Sequence, residues 1–106
     1  MEIELNEKEY DKRQFKLVEY IVMSIYESLT NEIKDEDARA EKAEEIAFSI
    51  CAMIDSSAVM DDEGIPLLPH LCFRKDDEGQ LLYADEGGSW MHEYVMGSTD
   101  ELIGSE

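Results

Sequence analysis

Along the first third of the chain, apolar side chains return every three or four residues. Val18, Ile21, Ile25 and Leu29 fall on one stripe, and Phe15, Val22, Tyr26 and Ile33 form a second beside it. That period belongs to a helix. Asn6 followed by Glu9 has the spacing of a capping box, so the pattern predicts a helix over about 7–33. Between Leu17 and Tyr26 only Glu19 and Ser24 interrupt the apolar positions. A helix that is apolar nearly all round needs cover nearly all round. The cover comes from the rest of the domain or from a second copy, so a homodimer is one expectation.

A second helical face follows over about 36–56. Ala40, Ala43, Ala47, Ile50, Cys51 and Ile54 share it, with Asp35 or Asp37 as the cap. The alanines let two helices approach closely. The short link between them predicts an antiparallel helical hairpin.

Beyond Ser56 the helical period stops. Asp61, Asp62, Glu63 and Gly64 read as a turn, and Pro66 and Pro69 keep the next stretch extended. Strands are predicted over 70–75 and 80–85, joined through Asp76, Asp77, Glu78 and Gly79 as a β-hairpin. Gly87 and Gly88 break the chain. Ser89 then caps a short helix over 90–96 that Gly97 ends, with Ser98 and Glu101 marking one more turn. The order is ααββα, a small α+β fold with residues 1–106 as one domain. Asp-Glu-Gly recurs at 62–64, 77–79 and 85–87, but the spacings are unequal. It is turn chemistry used three times and not a structural repeat.

Charge changes what this domain is expected to meet. Apolar residues make up 43% of the 106, enough for a core, yet 27 acidic and 9 basic residues leave a net charge of −18. The acidity grows along the chain, from −3 over residues 1–34 to −5 over 35–56 and −10 over 57–106. Such a chain repels phosphate backbones and anionic membranes. The expected partner is a basic protein surface, with no direct nucleic-acid contact and no membrane. The charged first fifteen residues hold no signal-peptide core, the longest apolar run is five residues, and two cysteines are too few for a disulfide scaffold. These features predict a cytoplasmic protein.

Candidate chemistry is sparse. His70 and His92 have no zinc-site spacing. His70 and Cys72 alternate on one strand face, where an edge histidine and a buried thiol are the plainer roles. An EF-hand loop needs an Asp five residues before its glycine. Val59, Arg74 and Leu82 stand there before Gly64, Gly79 and Gly87. There is no phosphate loop and no nucleophile elbow. Carboxylate pairs are too common in this chain to mark acid–base catalysis. No catalytic residue, metal or cofactor is assigned, and the chain is not expected to be an enzyme.

Three surfaces stand out instead. Asp37, Glu41, Glu44 and Glu45 form an acidic stripe on the second helix, and Lys8, Lys12 and Lys16 form a basic stripe on the first. The acidic turns add Asp61, Asp62 and Glu63, and Asp77 and Glu78. Trp90, Met91 and Tyr94 make a candidate set of interface anchors. Each has a plainer reading, as a solvated helix face, turn chemistry or a helix packed on the sheet. A globule of this size spans roughly 35 Å, over which duplex DNA carries about 20 charges. The total here is comparable. Two functions follow. One is an acidic inhibitor that occupies the basic surface of a nucleic-acid-handling protein, as a DNA-mimic anti-defence protein or a nuclease-immunity protein does. The alternative is an acidic dimeric chaperone or adaptor that holds a partner segment.

Overall fold

The computed structural model describes residues 2–75, 81–85 and 91–104, with the backbone alone at 81 and 99–104. The first helix, α1 (Glu7–Ser28), starts where its cap predicts. Asn6 Oδ1 accepts the Glu9 N–H at 3.1 Å and so satisfies one of the open donors of the first turn. The reciprocal half of the capping box does not form. Glu9 turns to Arg13 at 3.0 Å, and the Asn6 amide donates to Glu4. The helix stops at Ser28, short of the predicted 33. There the hydroxyls of Ser28 and Thr30 bond back to the carbonyls of Ser24 and Glu27, a local alternative to helical pairing.

The second helix, α2 (Glu36–Ile54), is capped by Asp35, whose carboxylate accepts the Ala38 N–H at 2.8 Å. Arg39 closes the link between the helices. Its guanidinium donates to the carbonyls of Ile33 and Lys34 and lies 4.8 Å from the centre of the Tyr26 ring. Ala40, Ala43 and Ala47 are fully buried, as a close helix–helix approach requires.

The last helix departs from expectation. It is one element, α3 (Met91–Gly104), and Gly97 lies inside it. A glycine within a helix costs about 1 kcal/mol against alanine. Burial of Met91 and Val95 along one face offsets that. The core is therefore built from three helices: Val18 and Val22 of α1, Ala47 and Cys51 of α2, Met91 and Val95 of α3. Leu17, Ile21, Ile25 and Ile54 pack around them.

Two small sheets complete the domain. A strand that the hydrophobic pattern does not predict, β1 (Glu2–Leu5), precedes α1. It pairs in parallel with β5 (Leu81–Ala84), from Glu2 opposite Leu81 to Leu5 opposite Ala84. The strand β4 (Phe73–Arg74) pairs antiparallel to the other side of β5, which gives the order β1-β5-β4. The loop expected at 76–79 lies outside the described residues. Tyr10 and Arg13 fasten α1 to this sheet. The buried Tyr10 hydroxyl donates to the Leu71 carbonyl at 2.6 Å, and its ring meets Phe73 edge-on. Arg13 sits over the Tyr83 ring and donates to the Arg74 carbonyl at 2.6 Å. The turn at 61–64 is the bend of a separate hairpin, β2 (Asp61–Asp62) with β3 (Ile65–Pro66). Glu63 and Gly64 both have positive φ, 49° and 86°, the pairing that a two-residue type I′ turn requires. The whole is a small α+β domain in the order helix, helix, strands, helix. Among the described residues, no helix is long and apolar enough to cross a membrane.

Candidate functional site

The acidic stripe sits on the half of α2 nearest the helical link. Asp37, Glu41 and Glu45 are exposed, and Glu44 is half-buried. Glu45 lies 3.7 Å from Lys42, both well exposed, a pair worth little in water. Among the described residues Asp37 and Glu41 make no ion pair. The hairpin also brings Glu27, Glu32, Asp35 and Glu36 to the same end, all exposed. Residues 27–45 hold eight acids and three bases. One of those bases, Arg39, is held by backbone carbonyls and an aromatic ring. The added carboxylates were readable once the hairpin was taken as antiparallel, because its link puts residues before Asp35 beside those after it.

Asp61, Asp62 and Glu63 are exposed too, but they belong to a different place. From Glu41 to the end of α2 is about 20 Å along the helix axis, and the turn belongs to the β2–β3 hairpin that follows α2 in the chain. Stripe and turn stand on separate elements. Asp77, Glu78 and Trp90 lie outside the described residues.

Of the proposed aromatic and methionine anchors, Met91 is the one that burial takes off the surface. Met91 is fully buried in the core, because α3 is the third core helix and not a helix laid on the surface. Tyr94 is half-buried and meets Phe15 edge-on at 5.6 Å. Burial first, and then the carboxylates of Asp11, Glu93 and Asp85, push its phenol above the ordinary value. The methionine of α3 that faces solvent is Met96.

One polar cluster escaped the sequence pattern. The Asp55 side chain has no exposed surface. It accepts the His92 backbone N–H at 3.0 Å, the His92 ring at Nδ1 and the Ser57 N–H at 3.0 Å. Burial alone pushes the Asp55 carboxyl up, but the hydrogen bonds from His92 and Ser57 win and hold it below the usual range. The Ser57 hydroxyl also meets His92 at Nδ1, at 3.0 Å. Serine, histidine and aspartate thus stand together without forming a relay, which needs serine and aspartate on opposite ring nitrogens. What the cluster does is join elements. Asp55 ends α2 and holds the first turn of α3, where a carboxylate is favoured by the open N–H groups and the helix dipole.

The remaining reactive groups are quiet. Cys51 and Cys72 are unbridged. Burial, and then the Asp55 charge, push the Cys51 thiol to about 11, which keeps it protonated and unreactive at neutral pH. Among the described residues, no three His, Cys, Asp or Glu side chains gather as metal ligands would. An open groove of about 760 Å³ runs beside α1, with Lys12, Phe15, Lys16 and Tyr94 on its walls. No protein-family model, curated protein or solved structure matches the chain.

Proposed function

We propose that the chain works by binding another protein and not by catalysis. Its acidic hairpin end covers the basic surface of a nucleic-acid-handling protein and so inhibits it, in the manner of a DNA mimic or a nuclease-immunity protein. The observation that carries this reading is the exposed row Asp37, Glu41 and Glu45 on one rigid helix, among Glu27, Glu32 and Glu36. Successive members of the row stand about 6 Å apart along the axis. Regular fixed charge of one sign is what meets a surface built for phosphates. The two unbridged thiols suit a reducing compartment, and the cytoplasm is the proposed site of action.

The test is affinity capture with partner identification at low and high salt, using the wild type and a variant carrying Asp37→Lys, Glu41→Lys and Glu45→Lys. The reading expects a basic partner that is captured at low salt, released at high salt and lost by the variant with an unchanged melt. The chaperone or adaptor reading draws on exposed apolar side chains such as Tyr20, Met23 and Leu68. It predicts capture that survives high salt and ignores the charge reversal.

A further inference from the structure

Between Ser56 and Pro69 the chain forms an arm. Ser56 takes a positive φ of 67° at the end of α2, and its hydroxyl donates to the Pro69 carbonyl at 2.7 Å, closing the root. Further out, the Leu67 N–H bonds to the Met60 carbonyl at 2.9 Å, and β2 pairs with β3 around the type I′ turn. The arm is ordered by its own backbone, yet it buries almost nothing. Val59 is 100% exposed, Ile65 66% and Leu68 72%, and every residue from 61 to 70 is exposed. Its tip carries Asp61, Asp62 and Glu63.

The same chain holds the complementary surface. Lys8, Lys12, Arg13 and Lys16 line the first turns of α1, and Arg13 is bonded to the carbonyls of Arg74 and Lys75. Six of the nine basic residues thus gather at one end. Residues 6–19 are neutral overall in a chain of net −18. Lys8 and Lys12 make no ion pair among the described residues, although the chain carries 27 acids. Beside them lies the groove walled by Phe15 and Tyr94; Glu9, Asp11 and Glu19 also line it, with Glu9 paired to Arg13 and Glu19 to Lys16, so Lys8 and Lys12 are the lysines left for a partner's carboxylates. The arm is rooted at this end, since Tyr10 of α1 bonds to Leu71, just past Pro69.

We propose that a second copy of this chain occupies the groove, through reciprocal exchange of arms. The acidic tip of each arm meets Lys8 and Lys12 of its partner, and Ile65, Leu67 and Leu68 cover Phe15 and Tyr94. The molecule is more open than a compact monomer. Its accessible area is 7158 Å², against about 6,100 Å² for a folded monomer of its mass. Its radius of gyration, 15.5 Å, likewise exceeds the ~13 Å of a compact chain of this length. Repulsion between two acidic bodies is screened beyond about 8 Å at physiological salt, so the local pairs decide the outcome. This contact uses Asp61, Asp62 and Glu63 for self-association and leaves the α2 stripe open.

Sedimentation velocity at physiological salt, from micromolar to submillimolar protein, tests it without any partner. The wild type is expected to dimerise. Asp62→Lys with Glu63→Lys weakens the dimer by roughly tenfold or more, as does Lys8→Glu with Lys12→Glu. An equimolar mixture of these two variants gives a heterodimer in which both arm contacts are attractive, one native and one reversed in sign. The four substitutions together restore both contacts in a homodimer. Leu68→Ser gives a monomer whose melt at low concentration, where the wild type is dissociated, matches that of the wild type. A monomeric wild type, a dimer indifferent to the arm, or failure of the fourfold variant to recover would each overturn the proposal.

Discussion

The three-helix core and the arm between α2 and β4 carry similar apolar side chains and use them in opposite ways. In the core, Val18, Val22, Cys51, Met91 and Val95 are sealed between helices. In the arm, Val59, Ile65 and Leu68 stand in water on a backbone held by the arm's own hydrogen bonds. Apolar character therefore does not by itself say what a segment is for. In the core it pays for folding. In the arm it adds nothing to the folding of a single chain and is left for a second surface. The two regions meet at Asp55, which ends α2, holds α3 and bonds to Ser57 at the root of the arm.

The sharpest way to break this comparison is to remove one side chain from the core. Met91→Ala deletes a fully buried residue and is expected to cost about 2–5 kcal/mol, a large share of the roughly 5–15 kcal/mol that holds a domain of this size. Urea or thermal unfolding measures it. A cost below 1 kcal/mol, in the range of a surface change, would mean that α3 is not a core helix.

The next largest effect is at the junction. Asp55→Asn leaves the first turn of α3 and the His92 ring without their charged acceptor, for an expected loss of about 1–3 kcal/mol at neutral pH. The sign with pH follows from the lowered carboxyl of the folded state. The contribution is fully present above the unfolded value near ~3.9 and is lost as pH falls through the folded value. The gap between wild type and variant should therefore close in acid. Melts of both proteins from neutral pH downward show this directly, and a gap that widens in acid would contradict it.

Much of the helical frame was legible in the residues. The cap at Asn6, the cap at Asp35, the alanine face of α2 and the turn at Gly64 each follow from a local rule, and local rules survive tertiary packing. What was hidden depends on residues far apart in sequence. The strand β1 is four residues long, with Glu2 and Glu4 alternating with the exposed Ile3 and Leu5. Nothing in its burial marks it, and only the pairing with β5 makes it a strand. The placement of Met91 inside the core depends on α1 and α2 leaving a seam for a third helix. Asp55 and His92 are separated by thirty-seven residues, so no spacing rule joins them. The acidic stripe was visible as a pattern, but that the Asp61 turn bends a hairpin of its own was not, because that rests on the pairing of β2 with β3.

Gly97 gives a smaller effect of the opposite sign. It sits within α3 with no positive φ, and a methyl group there would meet only Phe15 Cε2, at 4.0 Å. Ala at this position fits the space and removes the backbone entropy that glycine carries. Gly97→Ala should stabilise the domain by up to about 1 kcal/mol. A destabilised variant would show that the α1–α3 approach at Phe15 is closer than ordinary van der Waals contact.

The smallest expected effect is the most informative about the arm. Val59→Ser replaces a side chain with its whole surface in water. For the isolated chain there is no burial to lose and no cavity to open, so the change in stability should stay within about 0.5 kcal/mol. Melts at low protein concentration, where any dimer is dissociated, measure this value. Repeating them at high concentration adds the association term, because whatever binds only the folded form raises its apparent stability by mass action. For the wild type the midpoint should climb with concentration, and for Leu68→Ser it should not. Val59 lies nearer the root than Leu68, so its own concentration dependence tells how much of the arm is covered. A midpoint that moves with concentration in the Val59→Ser protein as in the wild type confines the contact to the outer arm. A flat one extends it to the root. A large loss of stability at low concentration would instead place Val59 inside the fold, and the contrast between arm and core would fail at that residue.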